Sequence, residues 1–277
     1  MRHTATLRYD SATLPEAVAW LEANGIQVMD TIEALGRVRI RYHPEARYTL
    51  AAAFGGELAV DFDYPAAIPA PVPVSSEDGT ALVGAGWHEE IRFFGGETLG
   101  AGVTIAVIDQ GDFAHPALPD GRIEVQGDPG SGSHGTMVAS LLVAPQSPAR
   151  DARILGWDVG TASGKADTFA VAEAIVAAVD AGADVINLSL GSHHDSPTLA
   201  QAVAYAHQRG IVLVAAAGND NTDTPVYPAA YAEVLGVAAT DASGLRASFS
   251  NRGASVDLAA PGVGLDVPGL DPESGMP

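Results

Sequence analysis

The 277-residue chain contains no cysteine, which excludes a disulfide framework, a thiolate metal site and a cysteine nucleophile. Basic residues are scarce. Fourteen Lys and Arg stand against 34 Asp and Glu, a formal charge of −20. The basic patch that a nucleic acid or an anionic membrane surface requires is therefore missing, and neither is expected as a partner. No stretch approaches ~18 uninterrupted apolar residues, so no bilayer span is expected. The opening residues, MRHTATLRYD, show no apolar stretch of a signal peptide, and a cytoplasmic chain is expected. No G-x-S-x-G segment occurs either, so a serine on a nucleophile elbow is not expected.

What remains is 47% hydrophobic, enough for one large domain and something smaller. Charge divides the chain unevenly. Residues 1–60 hold six basic and seven acidic residues, whereas residues 61–277 hold eight and 27. Between the two blocks lie prolines at 65, 69, 71 and 73, a composition that forms extended spacers. The expected organisation is a small domain over 1–63, a Pro-rich linker over 64–80 and a large domain over 81–277.

In the small unit the pattern predicts a strand over 3–9, then a capping box at Thr13 and Glu16 with Pro15 early in a helix. Val18, Trp20 and Leu21 give that helix an apolar face, and Gly25 stops it. A strand over 26–32 follows. In 35–42, Val38, Ile40 and Tyr42 alternate with Arg37, Arg39 and Arg41, the period of a half-buried strand. The arginines are expected on an exposed face, with docking on the acidic C-terminal unit as the lesser alternative. A helix over 44–54 and a strand over 57–62 complete a βαββαβ order, the ferredoxin-like α+β arrangement.

In the large unit, short apolar runs at 104–108, 153–159, 184–190, 211–216 and 234–239 alternate with helical segments at 135–143, 168–181 and 198–209. Such alternation predicts an α/β doubly wound parallel sheet. Functional groups in these sheets sit at the C-terminal ends of the strands, where Asp109-Gln110-Gly111 lies.

Seven segments carry a resemblance: VIDQGDFAHP (107–116), SHGTMVAS (133–140), VINLSLGS (185–192), VLVAAAGND (212–220), YPAAY (227–231), RASFSNRG (246–253) and DLAAPG (257–262). In order and content they resemble the subtilisin-like serine proteases, over roughly residues 81–266. The resemblance implies the subtilisin-like fold, a peptide or protein substrate, and an inhibitory propeptide as the N-terminal unit. It assigns Asp109 as the residue that orients His134, and His134 as general base and then acid. Asn219 becomes the side-chain donor to the oxyanion. Ser189, Leu190 and Gly191 would pair with an extended peptide, and Ala216 and Gly218 would wall the pocket for the residue before the cut. Gln110 replaces the small hydroxyl residue usual after the family's aspartate. Met137 replaces a histidine common in the family and is expected to pack.

The family's nucleophile lies in Gly-Thr-Ser-Met-Ala-x-Pro at the head of a long buried helix, and no such segment occurs in the 277 residues. The ending ESGMP echoes it without the Thr-Ser pair, so Ser274 is not expected to act. The chain alone is therefore expected to be inactive: a truncated or split endopeptidase whose serine lies on a lost segment or a second polypeptide. Two alternatives are a pseudoprotease that binds peptides or a partner protease, and an inhibitor or chaperone acting through the N-terminal unit. Retention of Asp109, His134 and Asn219 together favours the first. The tail from about 61 to 78 is expected to occupy the cleft in cis and to stay uncut.

His193-His194-Asp195 resembles a metal cluster only superficially, since adjacent histidines after a strand are more often a solvated rim. Some family members hold structural calcium, but the acidic residues here show no diagnostic spacing. No metal and no other cofactor is expected.

Overall fold

A computed structural model of the chain describes residues 3–9, 13–53, 63–69, 99–115, 118–127, 130, 132–143, 147, 149–161, 165–265 and 267. The N-terminal unit runs β1 (His3–Arg8), α1 (Leu14–Ala23), β2 (Gln27–Ile32), β3 (Arg37–Tyr42) and α2 (Ala46–Ala53), with a 3-10 turn at Glu33–Leu35 before β3. The strands form an antiparallel sheet in the order β1-β3-β2. Ala5, Leu7, Val38 and Ile40 cover one face and pack on Leu14, Leu21 and Leu50 from the helices. The strand expected over 57–62 lies outside the described residues. Thr13 stands at the N-cap of α1, yet it is in the αR region and its side chain makes no capping hydrogen bond. The expected capping box is thus not formed.

The large unit begins with β5 (Thr104–Asp109), β6 (Ile123–Gln126), α3 (His134–Val143) and β7 (Arg153–Asp158). It continues with β8 (Lys165–Asp167), α4 (Thr168–Asp180), β9 (Val185–Leu188), α5 (Pro197–His207), β10 (Val212–Ala216), β11 (Val234–Thr240) and β12 (Leu258–Pro261). Seven strands form one sheet in the order β12-β11-β10-β9-β5-β7-β6, with every pairing parallel. The doubly wound α/β class is as the sequence implies. Helix starts are well specified: Asp167 accepts the Ala170 amide at 2.8 Å, and Ser196 caps α5 just before Pro197, as short polar side chains do at N-caps.

α4 and α5 bury Ile186, Leu188, Leu213, Ala215 and Val234 on one face of the sheet. On the other face α3 covers β5 and β7, with Ile105, Val107, Ala139 and Ile154 at its core.

The arginine stripe is not an exposed face. Arg37 is 3% exposed, and its Nε donates to Gln201 Oε1 on α5 at 3.1 Å. Arg39 reaches Asp167, lies 3.1 Å from Asp63 and 3.6 Å from Asp30, and places its guanidinium 4.4 Å over the Phe169 ring. Alternation in β3 turns Arg37 and Arg39 away from the unit's own core: Arg37 meets Gln201 of the second unit, and Arg39 meets Asp167 of the second unit together with Asp30 and Asp63 of its own. Ile32 and Leu35 join the α4–α5 core from the same side. The lesser alternative is the observed one.

The expected spacer also differs. Residues 65–67 form β4 (Pro65–Ala67), which pairs antiparallel with β8; residues 70–80 lie outside the described residues.

Candidate active site

β5 delivers a carboxylate to the C-terminal edge of the sheet, and α3 begins there with an imidazole. Asp109 is fully buried. Its Oδ1 lies 2.7 Å from His134 Nδ1 and accepts the Gln110 amide at 2.6 Å. The turn between them is fixed, because the Gly135 amide donates to the Gln110 carbonyl at 2.8 Å and holds the start of α3 beside the end of β5. Asp109 Oδ2 is buried with no hydrogen-bond partner. Burial pushes the Asp109 carboxyl above its ordinary value, while the hydrogen bond and charge of His134 and the Gln110 amide pull it down.

Phe113 wedges this corner. It is buried with φ of 53°, and its ring fills the space that side chains at Gly135 and Gly156 would need. Bulky residues rarely hold positive φ, so the surrounding packing has to enforce it.

Asn219 is exposed on the loop after β10. It lines two adjoining depressions. One, of about 290 Å³, is bounded by Asn187, Ser189, Ala216, Gly218 and Ala239. The other, of about 340 Å³, is bounded by Ser189, Leu190, Gly191, Ala216, Gly218 and Lys165. The five residues expected to contact substrate are thus gathered around Asn219. Leu190 contributes only its backbone edge, since its side chain is buried in the core.

The loop owes its shape to Asn251, which is 2% exposed. Asn251 Nδ2 donates to the Ala217 carbonyl at 3.0 Å. Its Oδ1 accepts the Asp220 and Thr222 amides at 2.9 and 3.2 Å, and its own amide donates to Gly218 O at 2.9 Å. Gly218 has φ of 107°, and a Cβ there would run into Asn251; only glycine fits. The sequence signal for Asn251 was the RASFSNRG segment, in which no role for it was apparent.

The subtilase family model matches residues 100–274, more than half of the chain. The chain belongs to the subtilase family. Among curated relatives, subtilisin Savinase of Lederbergia lenta is 40% identical over 182 residues, covering 60% of this chain and 66% of its own length. The thermophilic serine proteinase of Bacillus sp. (strain AK1) is 41% identical over 182 residues, covering 60% of this chain and 45% of its own. This subtilase thus spans about half to two thirds of the relatives it matches. A cold-adapted subtilisin-like serine proteinase of known structure is 34% identical with a TM-score of 0.56, over 61% of this chain and 66% of that one. The epidermin leader peptide processing serine protease of Staphylococcus aureus is 20% identical and shares the fold, with a TM-score of 0.74 over 94% of this chain and 76% of that one.

Residues 65–67 lie along Gly191, one of the residues expected to pair with a peptide. Ala67 N–H donates to Gly191 O at 2.7 Å, and Gly191 N–H donates to Ala67 O at 3.0 Å. With β8 on the other side, residues 65–67 are the middle strand of a three-stranded arrangement. Ala66 and Ile68 turn inward and are buried, at 2% and 8% exposure. Tyr64 stacks on His194 at 4.5 Å and 1°.

The His193–Asp195 cluster disperses. His193 pairs with Asp220 at 3.3 Å, His194 with Tyr64, and Asp195 accepts from Tyr231 at 2.9 Å. Among the described residues no group of His, Cys, Asp or Glu is arranged to hold a metal, and no helix is long and apolar enough to cross a membrane. Met137 is buried, as packing requires. Ser274 lies outside the described residues.

Proposed function

We propose that these 277 residues form the acid, base and oxyanion parts of a subtilisin-type serine endopeptidase whose nucleophilic hydroxyl is carried by a segment outside them. The observation that carries this is the 2.7 Å Asp109–His134 contact on the same sheet edge as Asn219 and a strand-binding cleft. Asp109 fixes the imidazole with Nδ1 protonated, leaving Nε2 to take a hydroxyl proton and return it to the leaving amine. The Asn219 amide donates to the oxyanion, a contribution worth about 10²–10³ in rate. A peptide would enter as an added strand between residues 165–167 and 189–191, in the place that residues 65–67 hold here. No cofactor is required by these steps.

The sheet supports an external hydroxyl. Parallel sheets are ordinarily covered on both faces, yet Val212, Leu235 and Leu258 are 46%, 40% and 55% exposed. With Val214, Val237 and Ala239 they form one face of β10–β12, and no described helix covers it. The depression beside Asn219 opens onto this face.

A second reading, peptide binding without cleavage, is favoured by the paired Ala67–Gly191 hydrogen bonds. The two are separated by expressing the chain together with the polypeptide encoded after residue 277. Hydrolysis that is lost in His134→Ala supports the endopeptidase. Peptide binding without turnover, with both pieces folded, supports the second reading.

A further inference from the structure

The corner where β5 meets α3 holds a carboxylate that the proposed steps leave unused. Asp158 ends β7 and stands beside Asp109 in the parallel register. Its Oδ1 accepts the Gly111 amide at 3.1 Å and the Gly160 amide at 3.3 Å. The Gly111 amide belongs to the turn that links acid to base. That turn also carries the Gln110 amide bonded to Asp109 Oδ1 and the Gln110 carbonyl bonded to Gly135. The Val159 amide closes the frame by donating to the Asp109 carbonyl at 2.9 Å. On the far side no side chain fits at Gly130, because a Cβ there would overlap Asp158 Oδ2. Among the described residues, His134 from α3 and Asp158 from β7 are the charges that act on Asp109. Asp112, on the turn after β5, faces α3 through Thr136 at 3.2 Å. Burial pushes the Asp158 carboxyl above its ordinary value, and its charge adds to the upward push on Asp109.

We propose that Asp158 is a positioning residue for the Asp109–His134 pair. Its carboxylate fixes the 109–111 turn through the Gly111 amide, and with it the placement of Asp109 against His134. The inference rests on His134 acting as the base of the proposed peptidase. It is read from resonances of the whole chain, however, so an absence of hydrolysis leaves it standing.

NMR of the His134 Nδ1–H proton and the Gly111 amide tests it. Asp158→Ala should lose about tenfold of the exchange protection at both. Asp158→Asn keeps an acceptor for Gly111 and should restore both. In the unsubstituted chain, where no folding defect intervenes, the Gly111 amide resonance should titrate with the Asp158 carboxyl. Unchanged protection of the His134 Nδ1–H proton in Asp158→Ala, or a Gly111 resonance indifferent to Asp158, would overturn the proposal.

Discussion

Arg39 is the contact on which the docking of the two units should depend most, and Arg39→Ala tests that. Its side chain is 13% exposed and faces Asp63, Asp167 and Asp30, which are 16%, 34% and 42% exposed, with the Phe169 ring beneath it. Removing one partner of a buried ion pair costs about 3–5 kcal/mol. Because two of the three carboxylates are a third or more exposed, the low end applies, about 3 kcal/mol. Three carboxylates and the nearby Glu173 would be left without their cation. At about 1.4 kcal/mol per factor of ten, the undocked population should rise by about 100-fold. The Gly191 amide reports it, since its partner is the Ala67 carbonyl; its hydrogen-exchange protection in the full chain should fall by about 100-fold. Unchanged protection at Gly191, with the chain folded, would refute the reasoning.

Gly156→Ala forces a Cβ to within 2.7 Å of the Phe113 ring, an overpacking worth about 1–3 kcal/mol, so the thermal midpoint should drop by several degrees; an unshifted midpoint would contradict the wedge. Asn251→Ala strips the side-chain hydrogen bonds of the 217–222 loop and should cost about 2–3 kcal/mol, with faster exchange at the Asp220 and Thr222 amides as the specific sign. The Glu173 carboxyl is pushed up by desolvation and by Asp30 and Asp167, against the pull of Arg39. A raised folded-state pKa means a contribution present at low pH and lost as pH rises through that value. Glu173→Gln should therefore raise the thermal midpoint slightly at pH 7 and leave it unchanged near pH 3; a gain of equal size at both would contradict this.

The continuous apolar runs announced β5, β7, β9, β10 and β11, because the strands of this parallel sheet carry apolar side chains on both faces. β6 and β12 went unread because both are edge strands of only four residues: Ile123–Gln126 alternates apolar with polar, and Leu258–Pro261 is an apolar run too short to stand out and ends in proline. Asp109, His134 and Asn219 were legible as motif residues, and the structure brings Asp109 and His134 into contact. Asn251 and Asp158 were not, since their roles come from hydrogen bonds to backbone between 29 and 47 residues away. The arginine stripe misled for a related reason. Period-two alternation says which residues share a face, but whether that face meets water or a second unit is decided by carboxylates such as Asp167, 128 residues further on.

An attacking hydroxyl that comes from outside these residues can be read by fluorophosphonate labelling with mass-spectrometric mapping. The 277-residue chain alone should remain unlabelled. The chain completed by the segment encoded after residue 277 should be labelled on one serine of that segment, with the label lost in His134→Ala. Labelling of any hydroxyl within the 277 residues themselves would contradict the account.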